Sequence, residues 1–510
     1  MREQTNRKTL ATSISPIILI KIGKYLQHLL VAGAVLYPCV YIMIVTLRIG
    51  YPFELEKMEG GTVDHVARIL SGNKLYVSPS LEFVAYAYTP LYMYLSAGLA
   101  QLIGVGFFAP RLISVIASVG CFLLIFFFVR NDTKDNFASL LGCCLFAATF
   151  RISGAWFDIA RVDSLFLFFL LVGTYMVRFY SSWESRLIAG LFISLSFLTK
   201  QTAMAISLPI MLFCILEDKR KGLWFLGTVA VLIGLSTIIL NYIHDGWYDY
   251  YVFQLQANPP ITISRFGSFW IKDLFSVLSI AIVIALFHVL ICLCYASKGK
   301  YLFYLFMVLG FIGGSWLSRL SYLQFDNVLF PAYAIVSILF GLGIHECIEK
   351  ANQLTETMKS IIKVCLYFAA TIQFASLMYN PLTLIPTRDD LYAGREFINK
   401  LRSIPGDVLL VHHGYLSTLA GKESHAQGVA ISDVILRDSG STGKTKLVTE
   451  IREAIRGKRF AAIILDTGWW FQDDIEKHYR MAGSVFERQD VFYPVSGART
   501  RPESIYTPKD

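Results

Sequence analysis

"TPLYMYLSAGLAQLIGVGFF", residues 89–108, is the stretch on which the topology of this chain turns. It is apolar, rich in small residues and bounded by Pro90 and Pro110. Counted as a bilayer crossing, it turns the basic loop at 130–134 outward and puts the first acidic stretch on the opposite side from the later "WFDIARVDS". Laid in the interface, or re-entering it, it returns every charge cluster to its proper side. We therefore read it as interfacial, which makes residues 49–110 one long external loop followed by juxtamembrane helix.

Around that stretch the composition is that of a membrane protein: 55% of residues are hydrophobic, 14% aromatic and only 16% charged. Eleven other apolar runs are read as transmembrane helices, at about 28–48, 111–129, 136–150, 159–179, 186–199, 202–216, 222–241, 271–294, 301–317, 328–346 and 360–378. Lys and Arg collect in the N-terminal tail (Arg2, Arg7, Lys8, Lys21, Lys24) and in the loops "VRNDTKDN", "EDKRKG" and "SKGK". Those sides face the cytoplasm, so the N-terminus is inside and the C-terminus outside. No signal peptide is expected, because the first apolar run begins late and lacks a cleavage pattern. The nine cysteines lie in or beside apolar runs and are read as small buried hydrophobes. They offer neither a disulfide framework nor a metal-ligand spacing, and Cys143-Cys144 and Cys292-x-Cys294 count as packing.

From residue 379 to 510 the character changes to ordinary polarity. Short β-rich runs ("DVLLVHHG", "FAAIILDTG") alternate with amphipathic helical stretches ("KLVTEIREAIRGK", "DDIEKHYRMAG"), the pattern of a small α/β domain on the outer face. It holds 18 Lys and Arg against 17 Asp and Glu, so about +8 of the net charge of +9 belongs to the membrane part, residues 1–378. The basic excess is topological and gives no support to nucleic-acid binding. "GSTGKTK" at 440–446 lacks the spacing of a phosphate loop.

Chemistry gathers where charge is rare. "YPFELEKMEGGTVDH", residues 51–65, holds Glu54, Glu56, Glu59 and Asp64 directly after the first span. Glu54 and Glu56 either solvate the loop or share in the site. Glu59 opens a predicted helix (Val63, Val66, Ala67, Leu70) that ends at Gly72, and the helix dipole keeps such a carboxylate ionised and oriented. It is the candidate base. "RISGAWFDIARVDSLFLFFLL" brings Arg151, Asp158, Arg161 and Asp163. Asp158 and Arg161 are spaced for a local i,i+3 ion pair, whereas Asp163 enters the apolar stretch, where a charge is costly unless paired or used. Lys200-Gln201 and "WLSRLSYLQFDN", with Arg319, Asp326 and Asn327, add two more clusters. All four fall on the outer side, which describes a single extracytoplasmic site.

The wording of these motifs resembles the GT-C type integral-membrane glycosyltransferases, in particular the bacterial group of aminoarabinose transferases related to protein O-mannosyltransferases. The resemblance rests on "EGGTVDHVARILSGNKLY", "YTPLYMYLSAGLAQLIGVGFFAPRLIS" and "WFDIARVDSLF", and is strong over about residues 50–200. It implies a GT-C fold in a bacterial inner membrane. The implied reaction moves a sugar from a polyprenyl-phosphate donor to a lipid, polysaccharide or protein acceptor on the outer face, by inverting displacement with a carboxylate base. Glu59, Glu56 and Asp158 are then the catalytic candidates, with Lys200, Arg161, Arg319, Asp163, Tyr88 and Tyr92 to hold the donor. No cofactor is required, and room is left for a divalent metal. Two positions depart from the pattern. Met58-Glu59 stands where relatives carry Asp-Glu, and Thr89-Pro90 where the aminoarabinose transferases have a Lys before the proline, so the cation facing the phosphate must come from elsewhere. The alternatives are a transporter or flippase of a lipid-linked glycan that uses the carboxylates for ion coupling, and a non-catalytic assembly subunit. Against the transporter, the charges cluster at helix ends and in loops.

Overall fold

The computed structural model of the chain describes residues 16–510 except 258, 296 and 467; Arg2, Arg7 and Lys8 of the basic tail lie outside the described residues. A helix occupies every one of the eleven apolar runs. They are α1 (Pro16–Arg48), α4 (Phe108–Thr133), α5 (Asn136–Ala148), α6 (Asp163–Phe179), α7 (Trp183–Thr199), α8 (Ala203–Glu217), α9 (Lys219–Ile243), α10 (Ser276–Tyr295), α11 (Lys298–Arg319), α12 (Phe330–Asn352) and α13 (Glu356–Ser376). Between α1 and α4 lie α2 (Glu59–Leu70) and α3 (Leu91–Ile103). Among the described residues, seven helical stretches are long and apolar enough to cross a membrane. By contrast α5, α6, α7 and α8, at 13 to 17 residues, fall short of the roughly 20 that a straight crossing needs. The decisive stretch 89–108 forms only the 13-residue α3, about 20 Å of helix at 1.5 Å per residue.

Two boundaries differ from expectation. The first helix starts at Pro16 and takes in Lys21 and Lys24, both exposed, whose long side chains leave an apolar helix to reach water. The helix expected from 159 starts at Asp163, because Gly154 (φ 76°) and Ala155 (φ 59°) are left-handed and residues 150–162 run as turns.

The bundle closes around α12. In the stretch Asp326–Asn352, 94% of the most apolar window is buried, against 17% for α9 at the periphery. Small residues bring its neighbours close: a Cβ at Gly343 would meet the Ile284 carbonyl of α10 at 2.2 Å, so only glycine permits that crossing. The C-terminal part builds a four-stranded sheet in the order β1 (Val408–Leu410), β2 (Ala462–Leu465), β4 (Ser504–Pro508), β3 (Tyr479–Ser484). β1 and β2 are parallel, and helices Gly428–Arg437 and Thr442–Arg456 cross between them; β4 runs antiparallel to both its neighbours. Loops around this sheet bond to the segments that flank α2. Ser496 donates to the Leu55 carbonyl through its N–H (3.0 Å) and its hydroxyl (2.8 Å), and Ala426 N–H donates to the Leu81 carbonyl at 2.9 Å.

Candidate active site

The three carboxylates proposed as catalytic sit in different surroundings. Glu59, at the first turn of α2, is fully buried and has all its acceptor capacity used. Arg111 of α4 clamps it with Nε to Oε1 at 2.9 Å and Nη2 to Oε2 at 2.6 Å, while the N–H groups of Ala160 (2.7 Å) and Leu55 (2.6 Å) also donate to it. Burial opposes its charge, but Arg111 and the two backbone donors outweigh burial and hold the carboxyl below its usual range. Arg111 also binds the carbonyls of Tyr51 (2.6 Å) and Phe53 (2.7 Å), so this pair shapes the loop.

Asp158 has a matching partner that its sequence neighbourhood does not supply. Arg48, the last residue of α1, donates from Nε at 2.8 Å and from Nη2 at 2.5 Å, and ties the same turn through the Ala155 carbonyl at 2.8 Å. The anticipated Asp158–Arg161 pair does not form; the left-handed turn at 154–155 swings Asp158 back toward α1. Both arginines were legible as solitary charges in apolar runs ("MIVTLRIG", "FFAPRLIS"), since a guanidinium in such a place needs a buried anion.

Glu56 is left with a free oxygen. Its Oε2 accepts from Met58 N–H (3.0 Å) and from Arg161 Nη1 (3.4 Å), while Oε1 is buried with no partner among the described residues. Burial, partly offset by Arg161, raises its pKa above the usual carboxylate value. Gly497 (φ 70°) lies against it, and a Cβ there would come within 2.7 Å of Glu56 Cγ.

Arg161 gathers the rest. Its Nη2 donates to the Tyr88 hydroxyl at 3.0 Å, its guanidinium stands 5.0 Å from the Trp156 ring centre, and its Nε is 4.0 Å from Asp163. Asp163 Oδ1 accepts from Lys200 Nζ at 2.7 Å and from Asn327 Nδ2 at 2.9 Å, which joins the third and fourth sequence clusters to the second. Arg319 does not join. A π-helical turn at Phe269–Phe275 brings it Asp273, which accepts at 2.9 and 3.1 Å, and Asp326 lies 3.0 Å away. Tyr92 is buried and spends its hydroxyl on the Pro110 carbonyl (2.8 Å) and Ser114 (2.9 Å).

Two cavities lie near this cluster, walled in part by residues that touch Arg161 and Glu56. One, of about 310 Å³, is walled by Tyr88, Lys200, Gln201, Gln256 and the Asp433–Arg437 pair. The other, of about 460 Å³, is walled by Arg151, Trp156, Phe325, Asp326, Tyr493 and Arg499. Trp156 and Gly497 form the wall between the second cavity and Glu56. Among the described residues, Glu56 Oε1, Arg161 Nε, Asp163 Oδ2 and Trp156 Nε1 are buried without a hydrogen bond, Arg161 Nε and Asp163 Oδ2 facing each other at 4.0 Å. Each such atom left unpaired costs about 1–3 kcal/mol.

Glu54 and Asp64 serve the contact with the C-terminal sheet. His413, just beyond β1, bonds Glu54 through Nδ1 and Asp466, at the end of β2, through Nε2 at 3.0 Å. Burial pushes Glu54 up to about 7 despite that histidine, and pushes Asp64, which accepts from Ser424 at 3.0 Å, up to about 8. Among the described residues, one group has ligand atoms close enough to share a metal: His288, Cys292 and Glu346. Glu346 stands nineteen positions beyond Asn327 along α12, roughly 28 Å at 1.5 Å per residue, so this group lies away from the site.

The model of the dolichyl-phosphate-mannose-protein mannosyltransferase family matches residues 87–244. No curated protein matches the chain. Among solved structures, the chain is similar to ArnT from Cupriavidus metallidurans bound to undecaprenyl phosphate, with TM-score 0.60 and 10% identity over 92% of this chain and 97% of that one. It is also similar to the archaeal oligosaccharyltransferase AglB from Archaeoglobus fulgidus in complex with an inhibitory peptide and a dolichol-phosphate. There the TM-score is 0.54 and the identity 9%, over 87% of this chain and 69% of that one. At these identities what is shared is the fold.

Proposed function

From the GT-C glycosyltransferase fold of this chain, we propose that it transfers a sugar from a polyprenyl-phosphate donor to a cell-envelope acceptor on the outer face of a bacterial inner membrane. The observation that carries this reading is the unpartnered Oε1 of Glu56, beside a guanidinium and behind the Gly497 wall of the larger cavity. The donor keeps its tail in the bilayer and puts its phosphate in the smaller cavity, against Lys200, Tyr88 and Arg161. The acceptor hydroxyl comes from the larger cavity, past Trp156. It attacks the anomeric carbon as Glu56 takes its proton; the bond to the phosphate oxygen breaks and polyprenyl phosphate leaves, its charge met by Arg161 and Lys200. Direct displacement inverts the anomeric centre, and no nucleotide takes part.

This reading moves the base from Glu59 to Glu56. An acid held by Arg111 and two N–H groups has no lone pair to offer, whereas Glu56 combines a free oxygen with a raised pKa. Asp158 becomes a positioning residue for the turn that carries Trp156 and Arg161. The transporter alternative gains nothing from the geometry, since Glu56, Glu59 and Asp158 all lie in or at the edge of the loops between α1 and α6.

Lys200 gives the most direct test. Lys200→Ala removes one charge-assisted contact, worth about 1.5–3 kcal/mol, and should raise the donor KM roughly 10- to 100-fold while leaving the acceptor KM unchanged. An unaltered donor KM would take Lys200, and the donor cavity with it, out of the mechanism. Orientation is tested by Glu423→Cys, at an exposed position beyond β1. An impermeant thiol reagent should label it in intact cells, and labelling only after lysis would reverse the topology.

A further inference from the structure

We infer that His288, Cys292 and Glu346 form a site for a divalent, zinc-class cation that clasps α10 to α12 at the end of the bundle opposite the transfer site. His288 and Cys292 are one turn apart on the same face of α10, and Glu346 reaches them from α12. The backbone makes this meeting unavoidable. Gly343 presses on the Ile284 carbonyl, and one turn further along each helix stand Glu346 and His288.

His288 Nδ1 lies 3.0 Å from Glu346 Oε1, and Cys292 Sγ lies 3.9 Å from the same nitrogen. Zinc at about 2.0 Å from N and O and about 2.3 Å from S sets tetrahedral edges of roughly 3.3–3.6 Å, so the two distances from the imidazole nitrogen need shifts of only a few tenths of an ångström. The imidazole and thiol are buried in the bundle, and Glu346 Oε2 is a buried atom with no hydrogen-bond partner among the described residues. Among the described residues the only ion-pair partner of this carboxylate is His288. A half-buried carboxylate so poorly compensated is costly within a membrane bundle. A dication bound to one carboxylate, one thiolate and one neutral imidazole is neutral overall, with the thiol proton released to solvent and a water in the fourth position.

The sequence pairing Cys292-x-Cys294 misleads here, because Cys294 is exposed while Cys292 faces His288. That contrast supplies the control. The full chain, purified in detergent under a phosphine reductant, is incubated with zinc chloride, desalted and assayed for metal by mass spectrometry. About one zinc per chain should remain in the wild type and in Cys294→Ser, and less than about a tenth in His288→Ala and Cys292→Ser. With cobalt(II) in place of zinc, a thiolate-to-cobalt charge-transfer band should appear in the wild type and vanish in Cys292→Ser, a change too small to unfold the bundle. A wild type that retains less than about a tenth of an equivalent, or a Cys292→Ser variant that retains a full one, would overturn the site.

Discussion

Glu56→Gln should lower sugar transfer by roughly 10²- to 10⁴-fold, the usual contribution of a general base, while the purified chain keeps its thermal midpoint. The amide preserves the size of the side chain and the acceptor for Met58 N–H, and gives up only the ability to take a proton. Because burial raises the pKa of Glu56, the acid limb of the pH–rate profile should lie above the ordinary carboxylate range. The sign follows from its role: a base works when deprotonated, so the rate climbs with pH through the raised pKa and levels beyond it. In Glu56→Gln the residual rate should lose that limb. Wild-type turnover in this variant, assayed with a polyprenyl-phosphate sugar, would end the assignment.

Glu59→Gln should act on stability instead. Removing one partner of a buried, hydrogen-bonded ion pair leaves the Arg111 guanidinium uncompensated, at a cost of about 3–5 kcal/mol. Against a total stability of about 5–15 kcal/mol that is a large fraction, so the thermal midpoint in detergent should fall steeply and the yield with it. The double variant Glu59→Gln, Arg111→Met removes both charges and should recover much of the loss. A Glu59→Gln chain with an unchanged midpoint and a collapsed rate would instead restore Glu59 as the base. The two substitutions therefore separate chemistry from architecture among carboxylates only three residues apart.

That separation marks where the sequence ceased to be readable. Periodicity located a helix at every apolar run, including α2 from Glu59, because hydrophobic patterning acts locally. Charge scarcity likewise pointed to Arg161, Asp163, Lys200 and Asn327, which do converge. Which carboxylate is spoken for depends on partners far along the chain. Arg48 and Asp158 are 110 positions apart, and Arg111 and Glu59 are 52 apart. A Glu at a helix start reads the same whether it is free or clamped. Arg319 illustrates the converse error, since Asp273, which neutralises it, is brought up by a π-helical turn that no periodicity announces.

The bond from Ser496 to the Leu55 carbonyl spans 441 positions, and Gly497 beside it rests on Glu56. A ribosome delivers Ser496 441 positions after Leu55, so the first loop must wait through the insertion of the whole bundle before its counterpart arrives. Chains interrupted during synthesis hold every group from Glu56 to Lys200 yet lack the surface that seats them. On the proposed mechanism, such chains should transfer no sugar until that surface arrives.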